Sequence, residues 1–478
     1  MVSKDNAVAL SHPEVGMPTV AGVARNAGPT QALRQAAPPQ PLAEGAFAQA
    51  LAGALAQGLA EASAEVVAES STDAESATRA HAKSPGQPVA TVRGRAAEHP
   101  AAAELQARPE ASASVSARHV HGGPDALGVA RHDFSTNANA CGPCPQAAEA
   151  VAQADASHYP DPEYASLIAD LSSEIGVYPD RIILGASASE CIARLTAAVA
   201  SRAGPAAPPR VWVPRQAYGD YARAARAWQL PLASQPGQAD LVWHCEPASP
   251  TGQGVPELAH LDATHPEQVW VLDAAYAPLR LDGHSSLSPA RREQVWQLFT
   301  PNKALGLTGV RAAYLVAPRS ALEVGSPAWQ LAQRLRALAP SWPVGAHGVA
   351  MLKAWLQPEV QQWLQRSLDQ LRRWRQMQNA MLQAMGWVLQ PSDSPYGVAR
   401  PPVVPSPAEG GVADAGASEL AAMLAFMRAR GVKLRDTTSM GLPGWVRLAV
   451  RPPADQEALR AAWHAFIAWR PSALAVST

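Results

Sequence analysis

The chain has 478 residues, a formal net charge of -1 and a hydrophobic fraction of 47%. This length is enough for one large domain and a smaller one, and the balanced charge gives no electrostatic reason to expect nucleic acid or a membrane surface as a partner. Four cysteines without framework spacing exclude a disulfide-stapled secreted domain, and we expect a cytoplasmic protein because neither a signal peptide nor a run of roughly 20 apolar residues is evident.

Residues 1–117 form a low-complexity extension, rich in Ala, Pro, Gln, Ser and Glu, with Phe47 as its one aromatic residue. Such a composition buries too little apolar surface to offset the entropy of ordering, so we expect this extension to be largely disordered. Within it, apolar residues of the segment 42–67 approximate one face of a helix. This segment is either a weakly helical tether or a helix that docks on a partner.

From residue 119 onward, short apolar runs such as "RIILGA", "DLVWHC", "QVWVLDAAY" and "AAYLVAP" alternate with stretches of helical period. This alternation predicts an α/β fold with a mainly parallel sheet covered by helices. We expect an arm at 118–155 that packs on a small domain, a large domain at 156–345, and a small α+β domain at 346–478. Residues 341–385 read as one long helical region.

The stretch "NANACGPCPQ" contains a C-G-P-C pair at Cys141 and Cys144. A C-x-x-C pair at a helix N-terminus is typical of disulfide oxidoreductases, because the helix lowers the pKa of the first thiol. The same residues also suit a turn shaped by Gly142 and Pro143. The turn is the favoured interpretation, because "RHDFSTNANA" before it is a poor strand.

Two stretches contain the candidate catalytic residues. In "QVWVLDAAYAPL", Asp273 ends a strongly apolar strand, where α/β enzymes bind ligands; a helix N-cap is the alternative for an isolated Asp. In "LFTPNKALGLTGVRAAYLVAP", Lys303 lies in a turn and Arg311 follows eight residues later. A lysine in such a loop, next to a glycine-rich segment and an arginine, can form a Schiff base beside a phosphate site.

Together, the D-A-A-Y stretch from Asp273 to Tyr276 and the K-x-x-G-L-x-G-x-R stretch from Lys303 to Arg311 resemble the signature of class I/II, fold-type I, pyridoxal-phosphate (PLP) aminotransferases. The resemblance covers residue 119 to the end and implies that PLP binds in the large domain. The stretches "HGGPDALGVARHDFSTNANACGPCP" and "HYPDPEYASL" are more narrowly similar to threonine-phosphate decarboxylases of cobalamin biosynthesis. Histidinol-phosphate aminotransferases are close relatives of that branch.

The resemblance implies a role for each matching residue. Lys303 would bind the cofactor aldehyde and transfer protons, Asp273 would keep the ring nitrogen charged, and Tyr276 would donate to the phenolic oxygen. Tyr159 resembles a tyrosine that reaches the neighbouring subunit's cofactor phosphate, which implies a homodimer. The remaining cofactor contacts implied by the family are Ala188, Ser189, Tyr218, Ser249, Thr300 and Arg311.

The implied substrate is a phosphorylated, amino-acid-like small molecule. Its contacts would be His121, Asn139, Arg435 and Arg447, with Arg447 on the carboxylate. The main functional prediction is decarboxylation of L-threonine O-3-phosphate, and the alternative is aminotransfer of the histidinol-phosphate type. We predict no metal site, because His119 and His121 lack further ligands at suitable spacing.

The chain departs from the family pattern at several positions. Ser249 stands where the family has an asparagine, and Pro301 and Asn302 replace a hydrophobe and a hydroxyl before the lysine. Ser187 replaces a glycine of the phosphate loop, where it also mimics the serine of a G-x-S-x-G nucleophile elbow that lacks its second glycine. These departures motivate a further alternative, a non-catalytic homologue that acts as a scaffold.

Overall fold

The computed structural model describes residues 122–202, 207–260, 265–404 and 413–470. The extension at 1–117, its apolar segment 42–67 and the predicted substrate contact His121 lie outside the described residues. Within the described ranges, no helix is both long enough and apolar enough to cross a membrane.

Short, mostly buried strands form three sheets in the described part of the chain. The strands are β1 (His132–Asp133), β2 (Ile182–Gly185), β3 (Val211–Trp212), β4 (Leu241–Cys245), β5 (Val269–Asp273), β6 (Trp296–Phe299), β7 (Ala313–Val316), β8 (Val388–Leu389), β9 (Tyr396–Arg400), β10 (Val432–Lys433), β11 (Arg435–Asp436) and β12 (Val446–Ala449). The main sheet has six strands in the order β2-β7-β6-β5-β4-β3. Strands β3 to β6 are parallel, whereas β7 runs antiparallel to both of its neighbours.

Helices follow the strands along the chain. They are α1 (Pro145–Ala152), α2 (Ala165–Ile175), α3 (Ala188–Ala200), α4 (Gly219–Ala227), α5 (Pro289–Arg292), α6 (Pro327–Ala337), α7 (Ala346–Trp355), α8 (Pro358–Ala384), α9 (Ala413–Ala429) and α10 (Pro453–Trp469). The α/β fold with a large mixed sheet and a smaller α+β part confirms the predicted fold class. The domain boundaries stay predictions.

The long helical region predicted at 341–385 is wrong in one respect, because the structure divides it into α7 and α8. Pro358 occupies the first position of α8. A proline has no backbone N–H to continue the preceding helix, and it also disfavours helical geometry at the residue before it. Gln357 accordingly has an extended backbone, with φ -76° and ψ 135°.

Three features of the sheets bring distant residues together. Strands β4 and β5 are paired in register, so Cys245 lies beside Asp273 at the carboxyl end of the main sheet. In the small sheet, of order β11-β12-β9-β8, Arg435 lies opposite Arg447. Strand β1 pairs in parallel with β10, which attaches the segment before α1 to the C-terminal part of the chain.

His244 on β4 is a buried histidine between two tryptophan rings. Its ring centroid lies 5.0 Å from that of Trp212 and 5.6 Å from that of Trp270. Neither ring nitrogen has a hydrogen-bond partner within the part of the chain that the structure describes. Burial lowers the pKa of His244 from 6.5 to about 4, although the nearby Glu246 opposes this shift.

This environment predicts that the fold loses stability in mild acid. Below pH 6.5 the unfolded chain binds a proton at His244, whereas the folded chain does so only near pH 4. The free energy of unfolding should therefore fall by up to roughly 3 kcal/mol as the pH drops through this window. Urea denaturation of wild type and His244→Phe at pH 7 and pH 5 measures this contribution.

His244→Phe should lose less stability than wild type between these two pH values. His347→Gln, at an exposed histidine on α7, is the matched control and should follow wild type. Equal losses in wild type and His244→Phe would contradict the assignment.

Candidate active site

A cavity of about 160 Å³ lies at the carboxyl ends of the main-sheet strands. Its walls contain nine of the predicted cofactor and catalytic residues, together with residues that the sequence did not single out. The lining residues are Ala188, Ser189, Tyr218, Tyr221, Cys245, Ser249, Asp273, Ala275, Tyr276, Thr300, Asn302, Lys303 and Arg311.

Asp273 is a buried carboxylate at the end of β5. The Tyr221 hydroxyl donates to its Oδ2 at 2.7 Å, and the Ala275 N–H donates to its Oδ1 at 3.0 Å. Burial raises the pKa of Asp273, while these two hydrogen bonds and Lys303 oppose the shift. A carboxylate in such a place is stabilised in its charged form when a cation binds beside it.

Lys303 lies in the turn after β6, with its Nζ 5.2 Å from the ring centroid of Tyr276. Burial is the largest cause that lowers the pKa of Lys303, and the neighbouring Arg311 and Arg447 lower it further. Asp273 partly offsets this shift. A lowered pKa makes the neutral amine more accessible, and the neutral amine is the form that acts as a nucleophile or base.

Two predicted tyrosines line the cavity, Tyr276 from the segment after β5 and Tyr218 from the start of α4. Tyr276 is buried, and burial raises its pKa to about 12. Tyr218 precedes α4 and makes a 3.2 Å hydroxyl–hydroxyl hydrogen bond with Ser189. Its ring contacts Tyr221 edge-on at 5.8 Å.

The N-terminus of α3 faces the same cavity through Ala188 and Ser189. Ser187 caps this helix, because its hydroxyl accepts from the Glu190 N–H at 3.1 Å. Its backbone is extended, with φ -172° and ψ 168°, so the serine needs no glycine-like conformation. This serine therefore orders the first turn of the helix, and a helix N-terminus next to Arg311 can hold a phosphate.

Asn302, noted above only as a departure from the family, also lines the cavity. The Thr300 hydroxyl lies 3.0 Å from its Oδ1 and 2.8 Å from the Ala312 carbonyl oxygen. The Asn302 amide in turn reaches the Val310 carbonyl oxygen at 3.4 Å. These contacts fix the two ends of the loop at 300–312, the lysine loop, relative to each other.

Arg447 and Arg435 lie next to the Ser249 side of the cavity. Both are about 7% exposed, and they occupy directly opposite positions on β12 and β11. The Arg447 guanidinium donates to Ser249 Oγ at 3.2 Å and to the Ser135 carbonyl oxygen at 2.9 Å. Burial and the charge of Arg447 lower the pKa of Arg435 to about 10. An anion between the two guanidinium groups would relieve this repulsion.

Asn139, a predicted substrate contact, is hydrogen-bonded within the protein. Its amide donates to the Ala304 carbonyl oxygen and to Ser367 Oγ, both at 3.0 Å, and its carbonyl accepts from the Cys141 N–H. Its own N–H donates to the Lys303 carbonyl oxygen at 2.9 Å. All its N–H donors bond protein atoms, so Asn139 supports the lysine loop, and its role as a substrate contact stays a prediction.

Asn137, two residues earlier, is the asparagine that the sequence analysis missed. It is 5% exposed, and neither atom of its amide makes a hydrogen bond within the described residues. It nevertheless lies close enough to Tyr276 to lower the pKa of that phenol. A buried amide next to Tyr276 and the binding cavity is suited to a polar ligand.

The C-G-P-C stretch forms a turn that packs on the lysine loop. The Cys144 N–H donates to the Leu305 carbonyl oxygen at 2.8 Å, and a side chain at Gly142 would lie 3.0 Å from that oxygen. Both cysteines are free thiols, and burial raises the pKa of Cys141 to about 11. These observations favour the turn over a redox pair.

Tyr159 does not line the cavity of its own chain. It is 77% exposed, and its ring stacks on Trp342 with centroids 4.2 Å apart. Among the described residues, no group of three or more His, Cys, Asp or Glu side chains is placed to hold a metal ion.

Tyr221 is a second residue that the sequence analysis missed, and its role can be tested. Tyr221→Phe removes the hydroxyl donor to Asp273, so the pKa of Asp273 should rise further. For PLP, the cofactor that the sequence resemblance implies, we expect the affinity to fall about 10- to 100-fold, the range for a hydrogen bond to a charged group. Titration of the purified protein with PLP, followed by visible absorbance, measures this affinity.

Tyr314→Phe is the matched control, because Tyr314 is also buried but lies outside the cavity lining. It should bind PLP as wild type does. Wild-type affinity in Tyr221→Phe would show that the hydrogen bond to Asp273 is dispensable.

Comparisons with known proteins agree with this geometry. A family model described as aminotransferase class I and II matches residues 231–466. The chain is 29% identical over 356 residues to a histidinol-phosphate aminotransferase of Ruegeria pomeroyi, which covers 70% of this chain and 90% of the relative.

Two solved structures share the fold. A histidinol-phosphate aminotransferase from Sinorhizobium meliloti in complex with pyridoxal-5'-phosphate has a TM-score of 0.59 and 21% identity, over 71% of this chain and 91% of that one. An L-threonine-O-3-phosphate decarboxylase from Porphyromonas gingivalis has a TM-score of 0.56 and 20% identity, over 70% of this chain and 99% of that one.

The chemistry of the lining residues fits PLP. The cavity offers a buried carboxylate that can face a ring nitrogen, a lysine amine that can face an aldehyde, and a helix N-terminus with an arginine that can hold a phosphate. The protein is a PLP-dependent enzyme, so the scaffold alternative is set aside. The chain is similar to class I and II aminotransferases, whose family model matches residues 231–466.

Proposed function

We propose that the protein transfers the amino group of a phosphorylated amino compound of the histidinol-phosphate type to a 2-oxo acid. The observation that carries this proposal is the buried pair Arg435 and Arg447, on directly opposite positions next to the cavity. Two adjacent guanidinium groups suit the double negative charge of a phosphate, and they also suit the carboxylate of the 2-oxo acid that follows in the second half of the reaction.

The curated relatives support transfer over decarboxylation. The Ruegeria pomeroyi relative is a histidinol-phosphate aminotransferase, and a second one, from Bordetella parapertussis, is 24% identical over 349 residues. Decarboxylation of L-threonine O-3-phosphate, the main prediction from the sequence, has only a likeness of fold in its favour. We therefore rank it second.

When bound, PLP supplies an aldehyde that condenses with amines and a ring that withdraws electrons from the substrate carbon next to the nitrogen. In our proposal, Asp273 holds a positive charge at the ring nitrogen, and Tyr276 donates a hydrogen bond to the phenolic oxygen. Lys303 takes a proton from the substrate carbon with its neutral amine and returns it at another position. Arg447 and Asn137 orient the substrate.

We also propose that the protein is a cytoplasmic homodimer in which Tyr159 contacts the cofactor phosphate of the second subunit. Its support is the 77% exposure of Tyr159, which leaves much of this large side chain accessible to another copy. Sedimentation should then give twice the chain mass of 50.2 kDa.

Two parallel incubations of the purified, PLP-loaded protein test the proposed reaction. With L-histidinol phosphate and 2-oxoglutarate we expect glutamate, and with L-threonine O-3-phosphate alone we expect no carbon dioxide. Carbon dioxide without an oxo acid would replace the proposal with the decarboxylase.

The role of the arginine pair is tested by Arg447→Gln. Loss of a hydrogen-bonding cation should raise the KM for L-histidinol phosphate about 10- to 100-fold. Arg400→Gln, at a half-buried arginine on β9 of the same sheet and outside the cavity lining, is the control. An unchanged KM in Arg447→Gln would remove Arg447 from substrate binding.

A further inference from the structure

Glu246 is a buried carboxylate directly after β4 that takes no part in the proposed reaction. Its side chain is 1% exposed. It accepts hydrogen bonds from the Ser286 hydroxyl at 2.6 Å and N–H at 2.9 Å, and from the Ser285 hydroxyl at 3.1 Å. The Arg280 guanidinium lies 3.3 Å from Glu246 Oε1. A carboxylate this deeply buried requires such compensation.

Arg280 contacts a second carboxylate from another part of the chain. Its Nη1 lies 3.3 Å from Oδ2 of Asp393, in the segment that leads into β9. The Gly254 N–H donates to the same Oδ2 at 3.0 Å, and the Asp393 N–H donates to the Gly252 carbonyl oxygen at 2.9 Å. The planar guanidinium of Arg280 thus connects Glu246, directly after β4 of the main sheet, with Asp393, shortly before β9 of the small sheet.

The loop from Glu246 to Gly252 contains Ser249 and is held between these two attachments. Tyr396, the first residue of β9, donates from its hydroxyl toward the Ala248 carbonyl oxygen at 3.1 Å. Ser249 in turn accepts from Arg447 at 3.2 Å. Strand β9 pairs with β12, so the loop and Arg447 are fixed to the same sheet.

We propose that Arg280 is a positioning residue, which holds the 246–252 loop against the small sheet and thereby keeps Ser249 and Arg447 aligned for the substrate. The contribution of Arg280 to substrate binding rests on the proposed function. Its contribution to the order of the loop does not. The two carboxylates that Arg280 contacts differ in exposure: the side chain of Glu246 is 1% exposed and that of Asp393 is 35% exposed. The link to Asp393 is therefore the one that a point substitution can weaken without leaving a buried charge unpaired.

Two variants test this proposal. Arg280→Lys keeps a cation next to Glu246 but loses the planar fork, and Asp393→Asn removes only the second carboxylate. Both should keep the visible absorbance of bound PLP. We expect the KM for L-histidinol phosphate to rise about tenfold in each, with kcat within about threefold of wild type. Arg372→Lys is the control, because Arg372 bonds the Leu281 carbonyl oxygen and Asp369 but neither Glu246 nor Asp393.

Hydrogen exchange gives a readout that needs no substrate. The backbone amides of residues 248, 249 and 251–254 should exchange at least about tenfold faster in Arg280→Lys and Asp393→Asn than in wild type, whereas those of the Lys303 turn should not change. Wild-type exchange at 248, 249 and 251–254 in both variants would overturn the proposal, as would faster exchange with an unchanged KM. A wild type that is inactive on L-histidinol phosphate would instead refute the proposed function, and the exchange data would still test Arg280.

Discussion

Replacing Lys303 with alanine is expected to lower kcat by at least about 10⁴-fold, because one residue supplies both the amine that binds the cofactor and the base that moves the proton. The structure places this lysine in the wall of the cavity, where burial lowers its pKa. Alanine leaves the lysine loop intact, since the Asn139 N–H bonds the main-chain oxygen of residue 303 and not its side chain. Steady-state kinetics of PLP-loaded wild type and variant measures the effect.

Lys353→Ala is the matched control for this substitution. Lys353 is an exposed lysine on α7 whose Nζ lies 3.3 Å from Ser166 Oγ, and it is outside the cavity lining. It should leave kcat unchanged. A loss of less than about tenfold in Lys303→Ala would mean that another group is the base.

Asp273→Asn is expected to lower kcat by about 10²- to 10³-fold, the usual effect of removing one preorganised electrostatic group. Asparagine has nearly the same shape and can still accept from the Ala275 N–H. It carries no charge, however, so it cannot stabilise a positive ring nitrogen. The loss should therefore come from chemistry, with kcat reduced more than KM is raised.

Asp170→Asn, at an exposed aspartate on α2, controls for the general effect of losing one carboxylate. Circular dichroism of Asp273→Asn should match wild type. If Asp273→Asn retains more than about a tenth of wild-type kcat, the charge of Asp273 is not required.

The sequence was most informative where functional residues lie close together in one short stretch. Asp273 and Tyr276 lie at the end of one apolar run, and Lys303 and Arg311 lie in one loop. The spacing within each pair can therefore be recognised in the sequence without knowledge of the fold. Parallel strands then bring the two stretches to one sheet edge. The family and the fold class were predicted from these motifs.

The partners of these residues could not be predicted, because they are contacts between distant segments. Tyr221 bonds Asp273 across 52 positions, and Arg280 bonds Asp393 across 113. Asn137 and Asn139 have the same side chain two positions apart, and only the packing of the lysine loop against Asn139 decides which one is committed to the protein. Hydropathy and spacing contain no signal for any of these contacts.

Chemical trapping of the cofactor tests most directly the central claim that Lys303 binds PLP next to Asp273. Wild-type protein loaded with PLP is reduced with borohydride, which makes the bond between cofactor and amine permanent, and the peptides are then mapped by mass spectrometry. We predict one labelled peptide, with the pyridoxyl group on Lys303. A label on another lysine, or none on protein saturated with PLP, would contradict the claim.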